Sequence, residues 1–99
     1  MKLTLSEEAI NWFKEEVGLT QEDHLKFYAK IYGSSPVQES YSLGFAKDYP
    51  IDITASLEVD GIVFYIEEAD LWYFNGHDLH VEYNDTKDEL EFKYLKPNS

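Results

Sequence analysis

Three histidines are the side chains with the most obvious capacity for metal chemistry. His77 and His80 lie within the tetrapeptide His77-Asp78-Leu79-His80, and His24 stands apart from them. Imidazole is a common ligand for transition metals. On a β-strand, however, residues three apart point to opposite faces, so His77 and His80 could not ligate the same ion there. We therefore treat the three histidines as candidates for a metal site that the spacing alone does not support.

Carboxylates and hydroxyls provide two further candidate sites. Glu67, Glu68 and Asp70 form an acidic cluster, and hard cations such as Ca²⁺ or Mg²⁺ prefer oxygen ligands. These acids also suit the first turn of a helix, and no calcium-loop spacing surrounds them. Ser34 and Ser35 follow Gly33 and are the candidate nucleophiles, but no base lies beside them in sequence. With no phosphate-binding glycine loop either, we expect a protein that is not an enzyme and that carries no cofactor.

Composition restricts the partners. The 99 residues carry a formal net charge of −12 and no cysteine. Such a surface repels nucleic acid and anionic membranes, whereas a protein partner is compatible with it. Disulfides and cysteine-ligated metals are excluded. The first residues, Met1–Glu8, lack the apolar stretch of a signal peptide, and no apolar run is long enough to span a membrane. We predict a cytoplasmic protein with a single domain over residues 1–99.

The first half of the chain predicts one helix and two strands. Ser6 can cap a helix over Glu7–Val17, in which apolar residues recur at helical spacing and Gly18 follows. His24–Tyr32 alternates between apolar and polar residues, as a strand with one buried face does. The turn residues around Gly33 separate it from a second alternating run, Val37–Ala46.

The second half predicts two hairpins around a short helix. Asp60-Gly61 joins Thr54–Val59 to Ile62–Ile66, and Asp-Gly between alternating runs favours a type I′ turn. A short helix is predicted over Glu67–Phe74. The last two strands are predicted at His77–Tyr83 and Glu89–Tyr94. Together the elements indicate an α+β fold of mostly antiparallel strands, arranged as a sandwich or half-barrel, with one long N-terminal helix and one short helix.

Several segments resemble the HesB-like family, the A-type iron–sulfur cluster carriers. The opening segment over residues 3–9 is similar, and so are Tyr32-Gly33-Ser34-Ser35, the run over residues 41–45, the Asp60-Gly61-Ile62 turn and Phe74-Asn75-Gly76. The order of these segments covers nearly the whole chain. The resemblance implies a HesB-like fold and a setting in iron–sulfur cluster biosynthesis.

The chain departs from this family at the cluster ligands. The resemblance implies one cysteine just after the mid-chain glycine and a Cys-Gly-Cys element near the C-terminus. Ser34 stands at the first position, between Gly33 and Ser35, and Phe92–Ser99 lacks the second element. Because thiolates are the chief ligands of iron–sulfur clusters, this chain resembles a cysteine-less branch of the family.

Binding is the function that these observations favour. We expect a non-enzymatic binding or accessory module with an acidic surface. One alternative is a weak metal-binding protein that uses His24, His77, His80 and nearby carboxylates. Another is a homodimeric protein-interaction module, in which some of the large aromatic residues form an interface instead of core. A small hydrolase using Ser34 or Ser35 is a third. The large aromatic residues considered for the homodimer interface are Trp12, Trp72, Tyr73 and Phe74.

Overall fold

The N-terminal helix begins and ends where its local chemistry requires. The computed structural model describes residues 1–97. Ser6 caps the helix by accepting a hydrogen bond from the Ala9 amide at 3.1 Å. Helix α1 spans Glu7–Trp12 and continues as a π-helical segment over Phe13–Val17, which ends at Gly18 with φ of +77°. The predicted helix is therefore confirmed in its bounds, and its second half is more widely wound than an α-helix.

Seven strands and a second short helix make up the rest of the described part of the chain. The second helix is a 3₁₀ helix over Glu68–Phe74. The strands are β1 (Leu3–Leu5), β2 (His24–Lys30), β3 (Ser42–Lys47), β4 (Ile53–Val59), β5 (Ile62–Glu67), β6 (Asp78–Asn84) and β7 (Glu89–Leu95).

The strands form two mixed sheets. One sheet has the order β1-β6-β7 and the other the order β3-β2-β5-β4. The pairs β1/β6 and β2/β5 are parallel, and the remaining pairs are antiparallel. The molecule is an α+β sandwich of mostly antiparallel strands, as the sequence predicted.

Aromatic side chains join the two sheets and the helix into one core. Phe13 from the π-helical segment is fully buried, with ring centroids 5.7 Å from Phe27 on β2 and 5.6 Å from Phe64 on β5. Phe27 also contacts Phe92 on β7 of the other sheet, at 6.2 Å. Edge-to-face packing at these distances adds to the free energy gained by burial. The alternation predicted for β2 is confirmed, since Leu25 and Phe27 are both buried.

The predicted type I′ turn joins β4 to β5. Asp60 has φ of +52° and Gly61 has φ of +78°, so both central residues adopt the left-handed region that this turn needs. A Cβ atom on Gly61 would lie 2.6 Å from Gln21 Cγ, so a larger residue would also require the Gln21 side chain to move. The turn thus fixes the register of the β4–β5 hairpin.

The loop between β2 and β3 is longer than the sequence predicted. The run Val37–Ala46 was expected to be a strand, but β3 begins only at Ser42. Ser40 has φ of +68°, a conformation incompatible with a strand, and Val37 and Tyr41 contact the core from the loop. Strand β2 likewise ends at Lys30 instead of residue 32. In the first half of Val37–Ala46 the alternating pattern therefore arises from loop side chains that pack against the core, and not from a strand.

Candidate functional site

The loop over residues 31–41 carries the position that the family resemblance singled out. Gly33 has φ of +91°, and a Cβ atom there would lie 3.2 Å from Ser42 Oγ, so the bend requires glycine. Ser42 Oγ donates a hydrogen bond to the Tyr32 carbonyl and closes the base of the loop. Ser34 follows the bend and is exposed. The structure thus presents Ser34 at the surface, on a loop fixed at its base.

Ser35 has a structural role in this loop. Its hydroxyl oxygen accepts a hydrogen bond from the Gln38 amide at 3.2 Å and can donate to the Gln38 carbonyl at 3.3 Å. The Ser35 amide also donates to that carbonyl, at 3.1 Å. These contacts close a four-residue turn. No histidine or carboxylate within residues 1–97 forms a hydrogen bond with Ser34 or Ser35, so the hydrolase alternative gains no geometric support.

A pair of tyrosines connects this loop to the end of β7. Tyr73 Oη and Tyr94 Oη lie 2.7 Å apart. Burial is the main cause that raises the pKa of Tyr94, the hydrogen bond with Tyr73 adds to it, and a hydrogen bond from Ser35 acts in the opposite direction. The loop and the end of the last strand therefore meet at a cluster of hydroxyl groups.

His24 lies at the start of β2, beside a cavity of about 250 Å³. The carboxylates of Glu22, Asp23 and Asp48 line the same cavity, and those of Asp23 and Asp48 are bonded to protein donors. The Thr20 amide is the main cause that lowers the pKa of Asp23, and Lys47 contributes from 3.4 Å. The Tyr49 amide lowers the pKa of Asp48 most, and Lys26 contributes from 3.2 Å. The carboxylates of Asp23 and Asp48 therefore already accept hydrogen bonds from groups of the protein.

His77 and His80 also make hydrogen bonds within the protein. His77 was predicted to start a strand, but β6 begins at Asp78 and His77 lies in the preceding turn, because its Nδ1 is 2.9 Å from the Phe74 carbonyl. His80 on β6 has Nδ1 2.6 Å from Thr4 Oγ1 and Nε2 3.1 Å from Glu82 Oε1. Both ring nitrogens of His80 therefore have protein partners.

The metal-binding alternative has no cluster of ligands to support it. His24 belongs to the four-stranded sheet, whereas His77 and His80 lie at and on β6 of the other sheet. Within residues 1–97, no group of three or more His, Cys, Asp or Glu side chains is arranged to hold a metal ion. The structure does not bring the three histidines together.

The acidic cluster divides into two different environments. Glu67 was expected to start the second helix, but it is the last residue of β5 and is only 8% exposed. Its two carboxylate oxygens accept hydrogen bonds from the Ile51 and Asp52 amides, at 2.8 and 2.6 Å. Glu68 lies in the first turn of the 3₁₀ helix and is exposed. Glu67 is therefore a structural anchor for the segment before β4.

Comparison with known proteins identifies the family. The family model described as iron–sulphur cluster biosynthesis matches residues 1–99. The chain belongs to this family. A 48% identical relative is the pyruvate dehydrogenase inhibitor of Bacillus subtilis, aligned over 95% of this chain and 99% of the relative. Uncharacterized proteins of Staphylococcus saprophyticus and Staphylococcus haemolyticus are 36% and 30% identical, over 93% and 97% of this chain and 97% and 100% of theirs.

The residues of this family member do not fit an iron–sulfur cluster. The chain has no cysteine, and the loop that the resemblance assigns to the first ligand presents Ser34. The neighbouring groups are the hydroxyls of Ser35, Tyr73 and Tyr94. Hydroxyl groups are poor substitutes for the thiolates that hold such clusters. The resemblance places the second ligand element in Phe92–Ser99, and the last two residues of that segment lie outside the residues that the structure describes.

The large aromatic residues divide between core and surface. Tyr73 and Phe74 are fully buried, and Trp12 packs against the core. Trp72 is 49% exposed and packs edge-to-face on Tyr41, with centroids 5.0 Å apart. The homodimer alternative remains a prediction.

No helix in residues 1–97 is long and apolar enough to cross a membrane.

Sequence reasoning missed a second exposed apolar region. The segment between β3 and β4, residues 48–52, carries Tyr49 and Ile51, which project outward. We name this segment the strap. A signal is present in the sequence, since two large apolar residues flank Pro50 where alternation is lost.

Proposed function

We propose that this protein is a non-enzymatic regulator that binds pyruvate dehydrogenase and lowers its activity. The observation that carries the proposal is the 48% identity with the Bacillus subtilis pyruvate dehydrogenase inhibitor. The alignment spans 95% of this chain and 99% of the relative, so the similarity extends over nearly the full length of both.

The chemistry of the chain supports binding over cluster transfer. Cluster carriage needs thiolates, and this member of the family has none. The net charge of −12 provides electrostatic steering of a partner. The exposed apolar side chains provide a surface that can form a desolvated contact. We infer that this chain uses the family fold to present a binding surface.

The first test separates binding from covalent modification. Purified protein is mixed with the pyruvate dehydrogenase complex of its own cell, and pyruvate-dependent NADH formation is measured before and after the small protein is removed. We expect inhibition that is reversed by its removal, with the subunit masses of the complex unchanged. The Bacillus subtilis relative on its own complex is the positive control. Inhibition that persists after removal, with a mass change on the complex, would show an enzyme instead.

A second test addresses the family setting. Anaerobic reconstitution with ferrous iron and sulfide should leave no stable cluster on this protein, whereas a cysteine-containing member of the family treated in parallel should acquire one. A stable, stoichiometric cluster on this chain would contradict the conclusion that the missing thiolates are decisive.

A further inference from the structure

The strap covers the outer face of the four-stranded sheet. Tyr65 alternates along β5 with Phe64 and Ile66, which belong to the core, so its side chain is on the opposite face. Tyr65 is nevertheless fully buried. Asp48 and Glu67 both act on the Tyr65 hydroxyl electrostatically, and burial is the main cause that raises its pKa to about 12. Lys26 is the register partner of Tyr65 across β2 and β5 and forms an ion pair with Asp48, so the first residue of the strap lies over this face of the sheet.

Hydrogen bonds hold the strap against the sheet at both ends. Lys26 on β2 forms an ion pair with Asp48 at 3.2 Å. At the other end, Glu67 accepts the Ile51 and Asp52 amides, and the Glu68 amide donates to the Asp52 carbonyl at 2.8 Å. The backbone of the strap is therefore fixed before any partner arrives, which lowers the entropy lost on binding.

The fixed strap presents apolar side chains to solvent. Ile51 is 95% exposed and Tyr49 is 80% exposed, with Ile53 of β4 beside them. A cavity of about 370 Å³ opens between the strap and the start of the 3₁₀ helix. Single exposed apolar residues are ordinary, but three within five positions, next to a cavity, form a patch of the kind that binds a partner.

The border of the cavity is strongly acidic. One lysine, Lys26, lines it, and Lys26 is already paired with Asp48. Within residues 1–97, the side chains of Asp52 and Glu68 form no ion pair or hydrogen bond with another protein group. The carboxylates lining the cavity are Asp48, Asp52, Glu67, Glu68 and Asp70.

A buried hydroxyl on the same face of the sheet as the strap has no partner in the described part of the chain. Tyr65 Oη forms no hydrogen bond within residues 1–97, although buried polar groups are almost always paired. The two carboxylates that act on it electrostatically, Asp48 and Glu67, both line the cavity. The sheet face under the strap therefore holds a donor that no protein group among the described residues satisfies.

We propose that the strap and its cavity are the surface that binds the partner, and that the partner contributes a segment in which Arg or Lys side chains alternate with aliphatic ones. The aliphatic groups pack on Tyr49 and Ile51, and the cationic groups pair with Asp52 and Glu68. An apolar centre with a charged rim is typical of protein interfaces, and opposite charges fix the register of the two surfaces. The identification of that partner as pyruvate dehydrogenase rests on the proposed function.

Matched tyrosine and isoleucine pairs allow a controlled test. Tyr32 and Ile31, in the β2–β3 loop, are 83% and 71% exposed and carry the same side chains as the strap pair. Affinity for the pyruvate dehydrogenase complex is measured for Tyr49→Ala/Ile51→Ala and for Tyr32→Ala/Ile31→Ala. We expect the strap variant to bind at least about tenfold more weakly and the loop variant to bind like the wild type. The reverse ranking, or equal affinities, would overturn the proposal while leaving the proposed function intact.

A second probe does not depend on pyruvate dehydrogenase. A short peptide of alternating Arg and Leu is titrated into the wild-type protein and amide chemical shifts are followed, with a Glu-Leu peptide as the control. We expect shifts at residues 48–53 and 67–70 with the basic peptide alone. Shifts centred on residues 31–41, or none, would overturn the proposal. If the peptide binds the strap but the complex does not bind the protein, the surface stands and the proposed target is wrong.

Discussion

Replacing Glu67 with alanine tests how the strap is fixed. The two carboxylate oxygens accept hydrogen bonds from consecutive amides, Ile51 N at 2.8 Å and Asp52 N at 2.6 Å. The Glu67 side chain is 8% exposed, so the variant loses both bonds at a site with little access to water. The remaining contact at this end is the backbone bond from the Glu68 amide to the Asp52 carbonyl.

The expected loss follows from the type of hydrogen bond. A bond to a charged group contributes about 1.5–3 kcal/mol net. Because the strap is at the surface, water can reach its amides once the carboxylate is removed. We therefore use the lower end of this range for each bond and expect the free energy of unfolding to fall by about 2–3 kcal/mol in total. For a domain of this size that corresponds to a fall in the melting temperature of roughly 10–20 °C.

Two measurements distinguish this explanation from a general loss of packing. Urea unfolding gives the change in free energy, and amide hydrogen exchange gives its location. In Glu67→Ala the amides of Ile51 and Asp52 should exchange much faster, while those of the β6–β7 hairpin change only with global stability. Glu68→Ala, one residue away and exposed, is the control and should change stability by less than about 0.5 kcal/mol. Unchanged exchange at Ile51 and Asp52 would refute the reasoning.

Three further substitutions test other parts of the structure. Gly61→Ala should destabilise by about 1–2 kcal/mol in urea unfolding, because φ is +78° and the new Cβ would meet Gln21; an unaffected midpoint would contradict this. Phe13→Ala should cost about 3–5 kcal/mol because the ring is fully buried, and a melting temperature close to wild type would be inconsistent with its place in the core. The Lys93 hydrogen bond is the main cause that lowers the pKa of Glu82, so Lys93→Gln should raise that pKa in an NMR titration. The stability that Lys93 adds through Glu82 should then be present at neutral pH and disappear as the pH falls through the folded-state pKa of Glu82.

Local sequence signals predicted the elements that local chemistry determines. The capped helix and the Asp60-Gly61 turn depend on neighbouring residues, and both formed where expected. The strand predicted over Val37–Ala46 was wrong in its first half, because an alternating pattern indicates only which side chains are buried. Loop residues such as Val37 and Tyr41 can be buried in that pattern without pairing with another strand.

Features that depend on contacts distant in sequence could not be predicted from local signals. Glu67 and Ile51 are sixteen residues apart, and nothing in the spacing indicates that a carboxylate on β5 holds the strap. The proximity of Ser35 to Tyr94 likewise depends on the pairing of β6 with β7 and on the packing of the two sheets. The family resemblance, by contrast, rested on segments spread along the chain, and the match over residues 1–99 confirms it.

The most direct test of the account is a titration of pyruvate dehydrogenase activity. The rate of pyruvate-dependent NADH formation is measured at a fixed concentration of the complex and increasing concentrations of this protein, with no preincubation and after a long one. We predict a saturable fall in rate that reaches the same level in both series, as expected for reversible binding. An unchanged rate at concentrations at which the Bacillus subtilis relative inhibits its own complex would contradict the proposed target. A loss that grows with preincubation would contradict the non-enzymatic mechanism.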